Sequence, residues 1–412
     1  MVLDKLGDGA YSKVYKVERQ VDKQMYALKK VKIGQMAPKD RDNAINEVRI
    51  LSSISHPNVI QYKEAFVDPK DELLCIVMQY ADSGDLLKMI LERKRMKVHF
   101  RESQVWRVLI ETIHGLRAMH ELRVMHRDIK SANIFLFNNS GENPRVETEN
   151  DSRINKKRRH GEIASGDNAV SGFLFQSKLG DMNVSKVTAN HGLNYTQTGT
   201  PYYASPEVWK DEPYSFKSDV WSLGCVIYEM LALKPPFNGK DMDQLFKRVC
   251  KGTFSRIPEH YSNDIWQVVQ LMLRVDPEKR PSCQELIEST LFKHYSAKLA
   301  NLESVDKSFQ ETIDSTSPAR HELNQITNQL LKSIAYPKSI EQLSGILPKC
   351  NYGPYGAPIA FSKTTKMIKN NHYSHSTAEL GGQQILKNKV DLTDKSKQKL
   401  TTSVTQGDSI QQ

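Results

Sequence analysis

The run His126-Arg127-Asp128-Ile129-Lys130-Ser131-Ala132-Asn133 sets a carboxylate, an ammonium and a carboxamide close together in the chain. A hydroxyl attacking the terminal phosphate of a nucleoside triphosphate needs a carboxylate to orient it and accept its proton, and Asp128 suits that part. Lys130 can offset charge on the moving phosphoryl group. Asn133 offers an uncharged oxygen to Mg2+, which prefers hard oxygen ligands. A second, charged metal ligand is then needed, and Asp181 in Leu179-Gly180-Asp181-Met182-Asn183 is the candidate. His126 reads as a packed histidine supporting the loop rather than as a reacting group.

Two upstream features supply the phosphate side. In Gly7-Asp8-Gly9-Ala10-Tyr11-Ser12-Lys13-Val14 the glycines let a hairpin bring backbone N–H groups close to phosphate oxygens. A plain turn explains a lone G-x-G, and Ser12 stands where a third glycine is usual. The flanking strand patterns separate this loop from a dinucleotide-binding turn, which would open a helix. Lys29 ends Ala27-Leu28-Lys29 on the next strand, placed to reach the α- and β-phosphates. Alone it would read as an ordinary exposed lysine. Glu47 changes that reading, since it lies at the edge of the buried face of the following helix and can fix the lysine by a charge-assisted bond.

These residues need a scaffold of both periodicities. Ser12-Lys13-Val14-Tyr15-Lys16-Val17 and Gln24-Met25-Tyr26-Ala27-Leu28-Lys29 alternate as strands around a turn at Val21-Asp22-Lys23. Residues 40–54 switch to a helical period with Ala44, Val48 and Leu51 on one face. Leu73 to Tyr80 is an apolar run of strand length. Beyond it Trp106, Leu109, Ile113, Leu116 and Met119 step at three- and four-residue intervals, as on a half-buried helix. The pattern predicts a small β-rich lobe over about 1–79 and a larger helical lobe over about 82–295. A polar stretch, 138–177, interrupts the second lobe as a surface insertion. Its Lys156-Lys157-Arg158-Arg159 run reads first as a solvated tip and second as an anionic docking or nuclear-import patch. Residues 296–412 are polar and poor in aromatics, the composition of a mostly disordered regulatory or interaction tail. Within it Asn324 to Ile334 predicts a short helix with Ile326, Leu330 and Leu331 on its apolar edge.

Further along, Thr198-Gly199-Thr200-Pro201-Tyr202-Tyr203-Ala204-Ser205-Pro206-Glu207 and Asp276-Pro277-Glu278-Lys279-Arg280 hold a candidate pair, Glu207 with Arg280. Taken separately each would be a surface charge worth little. Asp219 opens a strongly apolar helix and can accept N–H bonds from the Asp128 loop.

With these motifs in order, residues 2 to about 295 resemble eukaryotic protein kinases, an α+β, bilobal fold. Tyr26-Ala27-Leu28-Lys29-Lys30-Val31, Ser55-His56-Pro57-Asn58-Val59-Ile60, Asn133-Ile134-Phe135-Leu136 and Gly199-Thr200-Pro201-Tyr202-Tyr203 resemble the NIMA-related (never-in-mitosis) serine/threonine branch. Ser218 to Met230 belongs with them. The Asp181-Met182-Asn183 variant of D-F-G is similar to versions in single-celled eukaryotes, as is Leu331 to Tyr352. The resemblance implies ATP and Mg2+ and a nucleotide site bounded by Leu6, Gly7, Asp8, Gly9, Val14, Ala27 and Lys29. It implies that Met78 guards the back of an adenine pocket, that Gln79 to Ala81 form its hinge and that Asp85 meets the ribose. Arg127 is expected to meet a phosphorylated Thr196 or Thr198, placed there by an activating kinase or by the chain itself. Expected partners are proteins bearing Ser or Thr, including microtubule- and cilium-associated ones.

Bulk numbers agree with a chain of this kind. Its 412 residues are 39% hydrophobic and 26% charged, enough for a large apolar core. Five scattered cysteines form no C-x-x-C pair, which argues against a disulfide framework or zinc site and for the cytosol or nucleus. No apolar run is long enough to span a membrane. The net charge of +10 carries no basic stripe with interleaved aromatics, so nucleic acid is not expected. The same motifs also fit two other readings. One is a binding scaffold with the same fold, which loss of Lys29, Asp128, Asn133 or Asp181 would favour; the other is an active kinase of another serine/threonine group.

Overall fold

Alternating side chains make the first third of the chain a sheet. In the computed structural model, which describes residues 1–9, 12–138, 175–181, 201–302, 345 and 347–352, the strands are Val2–Asp8 (β1), Ser12–Glu18 (β2) and Met25–Lys32 (β3), then Tyr62–Asp68 (β4) and Leu73–Gln79 (β5). They pair antiparallel in the order β1-β2-β3-β5-β4. Register decides what each face carries, because directly opposed residues share a face. Val14 opposes Lys29, Lys29 opposes Ile76 and Ala27 opposes Met78, which sets the lysine on the inner face. Val17 opposes Tyr26, and Leu28 opposes Val77, on the outer face.

Pro38–Ser53 (α1) starts with Pro38 in its first turn, where a missing N–H costs nothing. It buries Val48 and Leu51 as the period predicts, and also Ile45. Leu86–Met96 (α2) is capped by Asp85 and closes on Lys97 in the left-handed region, with three basic residues in its last turn. Glu102–Glu121 (α3) departs from the half-buried expectation: Val105 to Leu116 are buried without a break. Its polar members have partners instead of water. Glu111, for example, accepts from the Ser177 backbone at 2.6 Å.

Ile134–Asn138 (β6) and Phe175–Leu179 (β7) form a hairpin with Asn138 opposite Phe175. The ladder thus takes in Asn138 and Phe175 to Ser177, which the sequence assigns to the surface insertion; the buried Phe175 anchors them. The rest of the insertion, with its basic run, lies outside the described residues. The helices that follow are Pro206–Trp209 (α4), Phe216–Ala232 (α5), Met242–Lys251 (α6) and Asn263–Met272 (α7), then Cys283–Glu288 (α8) and Thr290–Leu302 (α9). The last runs past the expected limit of 295. α5 opens with a reciprocal cap between Ser215 and Ser218 and is buried from Ser218 to Leu231. One apolar cluster joins α1, β4 and β5 to the helices of the large lobe. All described residues belong to one compact unit, Met1–Thr364. The predicted helix at Asn324 to Ile334 is outside them, whereas Leu347 to Tyr352 of the expected tail lie against the small lobe. Among the described residues no helix is long and apolar enough to cross a membrane.

Candidate active site

Lys29 reaches two carboxylates. Its Nζ lies 2.8 Å from Asp181 Oδ1 and 3.4 Å from Glu47 Oε1. Burial alone would lower the lysine's pKa, but Glu47 and Asp181 outweigh it and raise it, so the side chain is a fixed cation. Burial pushes Glu47 up, and Lys29 opposes that only in part. Asp181 feels the same upward push, yet Lys29 and then Lys130 hold its carboxyl below the usual range.

The loop between α3 and β6 supplies the second half. Lys130 Nζ donates to Asp128 Oδ2 at 2.9 Å. Asn133 Nδ2 donates to Asp128 O at 2.8 Å, to Asp128 Oδ2 at 3.1 Å and to Asp181 O at 3.4 Å. With Nδ2 committed to these, the amide's acceptor oxygen is the end that can meet a cation. Gly180 N donates to Asn133 O at 3.0 Å, tying β7's end to the loop. A side chain at position 180 would not fit, since its Cβ would come 2.7 Å from Ile60 Cγ1 and 2.9 Å from Phe135 Cε2. Asp181 itself sits at φ +54°, a left-handed conformation that aspartate tolerates better than most residues.

What holds the loop in place is buried deeper. Asp219 Oδ2 accepts from His126 N at 3.0 Å and Oδ1 from Arg127 N at 3.0 Å, while His120 Nε2 and Tyr214 Oη approach the same carboxylate at 2.9 and 2.5 Å. Burial raises the Asp219 pKa, and the bond from His120 with these neighbours more than reverses it. Arg127 has φ +64°, a conformation that tertiary contacts must enforce. Its guanidinium lies 5.8 Å from the Tyr214 ring centre. Glu207 and Arg280 pair at 2.8 and 3.1 Å. The expected pair forms, and both members are buried, with Ser218 and Lys217 of α5 bonded to them. Ser218 Oγ also donates to Glu207, and Arg280 donates to the Arg274, Lys217 and Val275 carbonyls.

On the nucleotide side Gly9 N donates to Ser12 O at 2.7 Å, and Gly7 opposes Val14, closing the β1–β2 hairpin. Ala27 and Met78 are opposed one step along from Lys29, as a pocket floor and back would be. Gln79 N donates to Gln61 O at 2.9 Å. Asp85 is engaged as the α2 cap, accepting from Lys88 N at 2.9 Å. Leu6 is exposed beside the glycine loop. Ala10, Tyr11, Met182, Asn183, Thr196 and Thr198 lie outside the described residues.

Sequence reading missed two groups. Lys178 donates to Gln79 Oε1 at 3.0 Å, and its burial drops its pKa to about 8. Tyr203 Oη lies 3.0 Å from Ser131 Oγ and donates to Glu229 Oε2 at 2.7 Å, linking the loop to α5. Neither had a signal, since both depend on contacts between distant segments. For a metal, Asn133 and Asp181 offer hard oxygens within one loop pair, a donor set suited to Mg2+ sharing its shell with phosphate and water. Among the described residues no group of three or more His, Cys, Asp or Glu could hold a metal by itself.

Comparison with known proteins agrees with this geometry. The family model for the protein kinase domain matches residues 1–292. The chain is 34% identical to serine/threonine-protein kinase Nek4 of Mus musculus, over 70% of the chain and 32% of that relative. It is 31% identical to probable serine/threonine-protein kinase nek2 of Dictyostelium discoideum, over 69% of the chain and 61% of the relative. To serine/threonine-protein kinase Nek2 of Mus musculus the identity is 32%, over 70% of the chain and 59% of the relative. The chain therefore spans less than two thirds of the length of these relatives.

Proposed function

The chain belongs to the protein kinase family, and from that premise we propose that it transfers the γ-phosphate of ATP to serine and threonine hydroxyls of protein substrates, as a NIMA-related kinase. The observation that carries this reading is the convergence of Lys29, Asp128, Lys130, Asn133 and Asp181 through direct bonds. Asp128 orients the substrate hydroxyl and takes its proton. Lys130, already 2.9 Å from that carboxylate, faces the charge that builds on the transferred group. Lys29, aimed by Glu47, holds the α- and β-phosphates. The inner sheet face, with Val14, Ala27 and Met78, covers the adenine, and the Gln79–Ala81 backbone reads its edge. Leu6, Gly7, Asp8 and Gly9 close over the phosphates, and Asp85 is placed toward the ribose.

Mg2+, held by Asn133 and Asp181, would neutralise charge between the phosphates. Switching is assigned to phosphate on Thr196 or Thr198 meeting Arg127. Proteins of microtubules or cilia in the cytoplasm are the partners we infer, on the family resemblance and the scattered cysteines.

The test is transfer of radiolabelled phosphate from ATP with Mg2+ to generic protein substrates, comparing the chain with Asp128→Asn. Loss of the general base is expected to lower turnover by about 100-fold or more. Equal incorporation by both, or none by either, would refute it.

A further inference from the structure

The outer face of the small-lobe sheet is apolar where a solvated face should be polar. Tyr26, Leu28, Cys75 and Val77 are buried there, with Val17 and Leu73 beside them. These residues lie on the opposite face from the nucleotide side, because Tyr26 and Leu28 alternate with Ala27 and Lys29 on β3. Among the described residues the side chain that packs on this cluster from outside the sheet is Tyr352.

Tyr352 is held by three different interactions. Its ring meets Tyr26 edge-on at 5.5 Å between centres, and the Arg19 guanidinium lies 3.7 Å from the ring centre. Its hydroxyl donates to Glu64 Oε2 at 2.6 Å. Glu64 opposes Val77, so it stands on the same outer face. The backbone before Tyr352 is anchored as well. Asn351 N donates to Lys63 O at 2.6 Å, and Tyr62 Oη donates to Pro348 O at 3.0 Å. β4 is the edge strand of the sheet, and its register shifts between Tyr62 and Glu64. That irregularity turns the Lys63 carbonyl to an acceptor outside the ladder, which is where Asn351 N–H binds. Leu347 packs against the main core nearby.

We propose that this outer face, with the irregular β4 edge, is a peptide-docking site whose occupant is the chain's own Pro348-Lys349-Cys350-Asn351-Tyr352. The site takes an extended segment ending in tyrosine: the edge strand reads its backbone, and the Arg19, Tyr26 and Glu64 pocket reads its last side chain. Binding is in cis. About 45 residues separate Leu302 from Leu347, a contour of up to ~150 Å, so reach does not limit closure. The tail thereby grips the back of the strand whose front carries Lys29. This holds whether or not the front face transfers phosphate.

Cys75 reports occupancy, because it lies in the cluster under Tyr352 and burial raises its thiol pKa to about 11. The folded 412-residue chain is alkylated at neutral pH and the modified cysteines are located by mass spectrometry. Cys225 and Cys283, buried in the large lobe, serve as folding controls. In Tyr352→Ala and in Asn351→Pro, which removes the N–H donor, Cys75 is expected to react roughly ten-fold faster or more while the controls stay protected. Unchanged Cys75 labelling in both would overturn the proposal. Hydrogen exchange on the unaltered chain gives a measurement independent of variant folding: the Asn351 amide should be protected, and a free-peptide rate would overturn it. Protection that disappears on dilution would replace the cis occupant with a second copy and overturn it too.

Discussion

Asp219→Asn keeps the side-chain shape while removing the charge on which the Asp128 loop is hung. The carboxylate is fully buried and accepts from two backbone N–H groups, an imidazole and a phenol. Asparagine has one acceptor oxygen and turns an NH2 toward the other donors, so about two of the four bonds are lost. Hydrogen bonds to charged groups contribute about 1.5–3 kcal/mol each, and relaxation recovers part, giving an expected loss near 3–5 kcal/mol. The effect should not stop at stability. Arg127 at φ +64° stores strain of about 1–3 kcal/mol, and the bond from its N–H to Asp219 offsets it. Releasing that residue lets Asp128 leave its position. A shift of about 1.4–2.7 kcal/mol toward displaced loops lowers turnover roughly 10- to 100-fold. Urea unfolding followed by tryptophan fluorescence reads the first quantity, and steady-state phosphotransfer reads the second. Tyr214→Phe, which removes one donor and leaves the charge, should cost less, about 1.5–3 kcal/mol. An unfolding free energy for Asp219→Asn within about 0.5 kcal/mol of the parent, with turnover unchanged, would refute the reasoning.

Glu207→Gln leaves the Arg280 guanidinium buried without its counter-charge and is expected to cost about 3–5 kcal/mol in urea unfolding; a Glu207→Leu, Arg280→Met pair should recover much of it in a double-mutant cycle. Gly180→Ala forces a methyl against Ile60 and Phe135, so thermal unfolding should show about 1–3 kcal/mol of destabilisation, with turnover reduced as Asp181 shifts. His56 gives a pH signature. Burial, then the nearby His114, Arg117 and Lys178 charges, lowers its pKa from 6.5 to about 3. An unfolded chain therefore takes up a proton in that window while the folded one does not, and stability falls as pH drops from 6.5 toward 3. The slope is at most about 1.4 kcal/mol per pH unit. His56→Asn should flatten this part of the curve, and an unchanged slope in acid titrations of unfolding would sink the assignment.

Local pattern was enough to single out the candidate groups that the fold brings together. Asp128, Lys130 and Asn133 are picked out by spacing within one loop, and Lys29 by ending an alternating strand with Glu47 on the helix that follows. The strand and helix periods also order the two lobes, because each period states which side must be buried. Spacing within a segment says nothing, however, about how deeply charges brought together from separate segments are buried. Glu207 and Arg280 are matched from their motifs, but their burial against α5 is not legible there. α3 reads as half-buried from one apolar stripe, yet its polar side is also covered, with Glu111 bonded to β7. The insertion's ends looked polar, but Phe175 opposite Asn138 extends the hairpin. The tail is the sharpest case. Its composition gives most of it too little apolar surface to fold alone; Tyr352 finds its place because the sheet register gathers Tyr26, Leu28, Cys75 and Val77 on one face. Sequence determined which candidate groups lie close along the chain and the order of elements, since both rest on near neighbours. Tertiary structure decided burial, pairing and the pKa directions, since those depend on which distant residues share a dielectric.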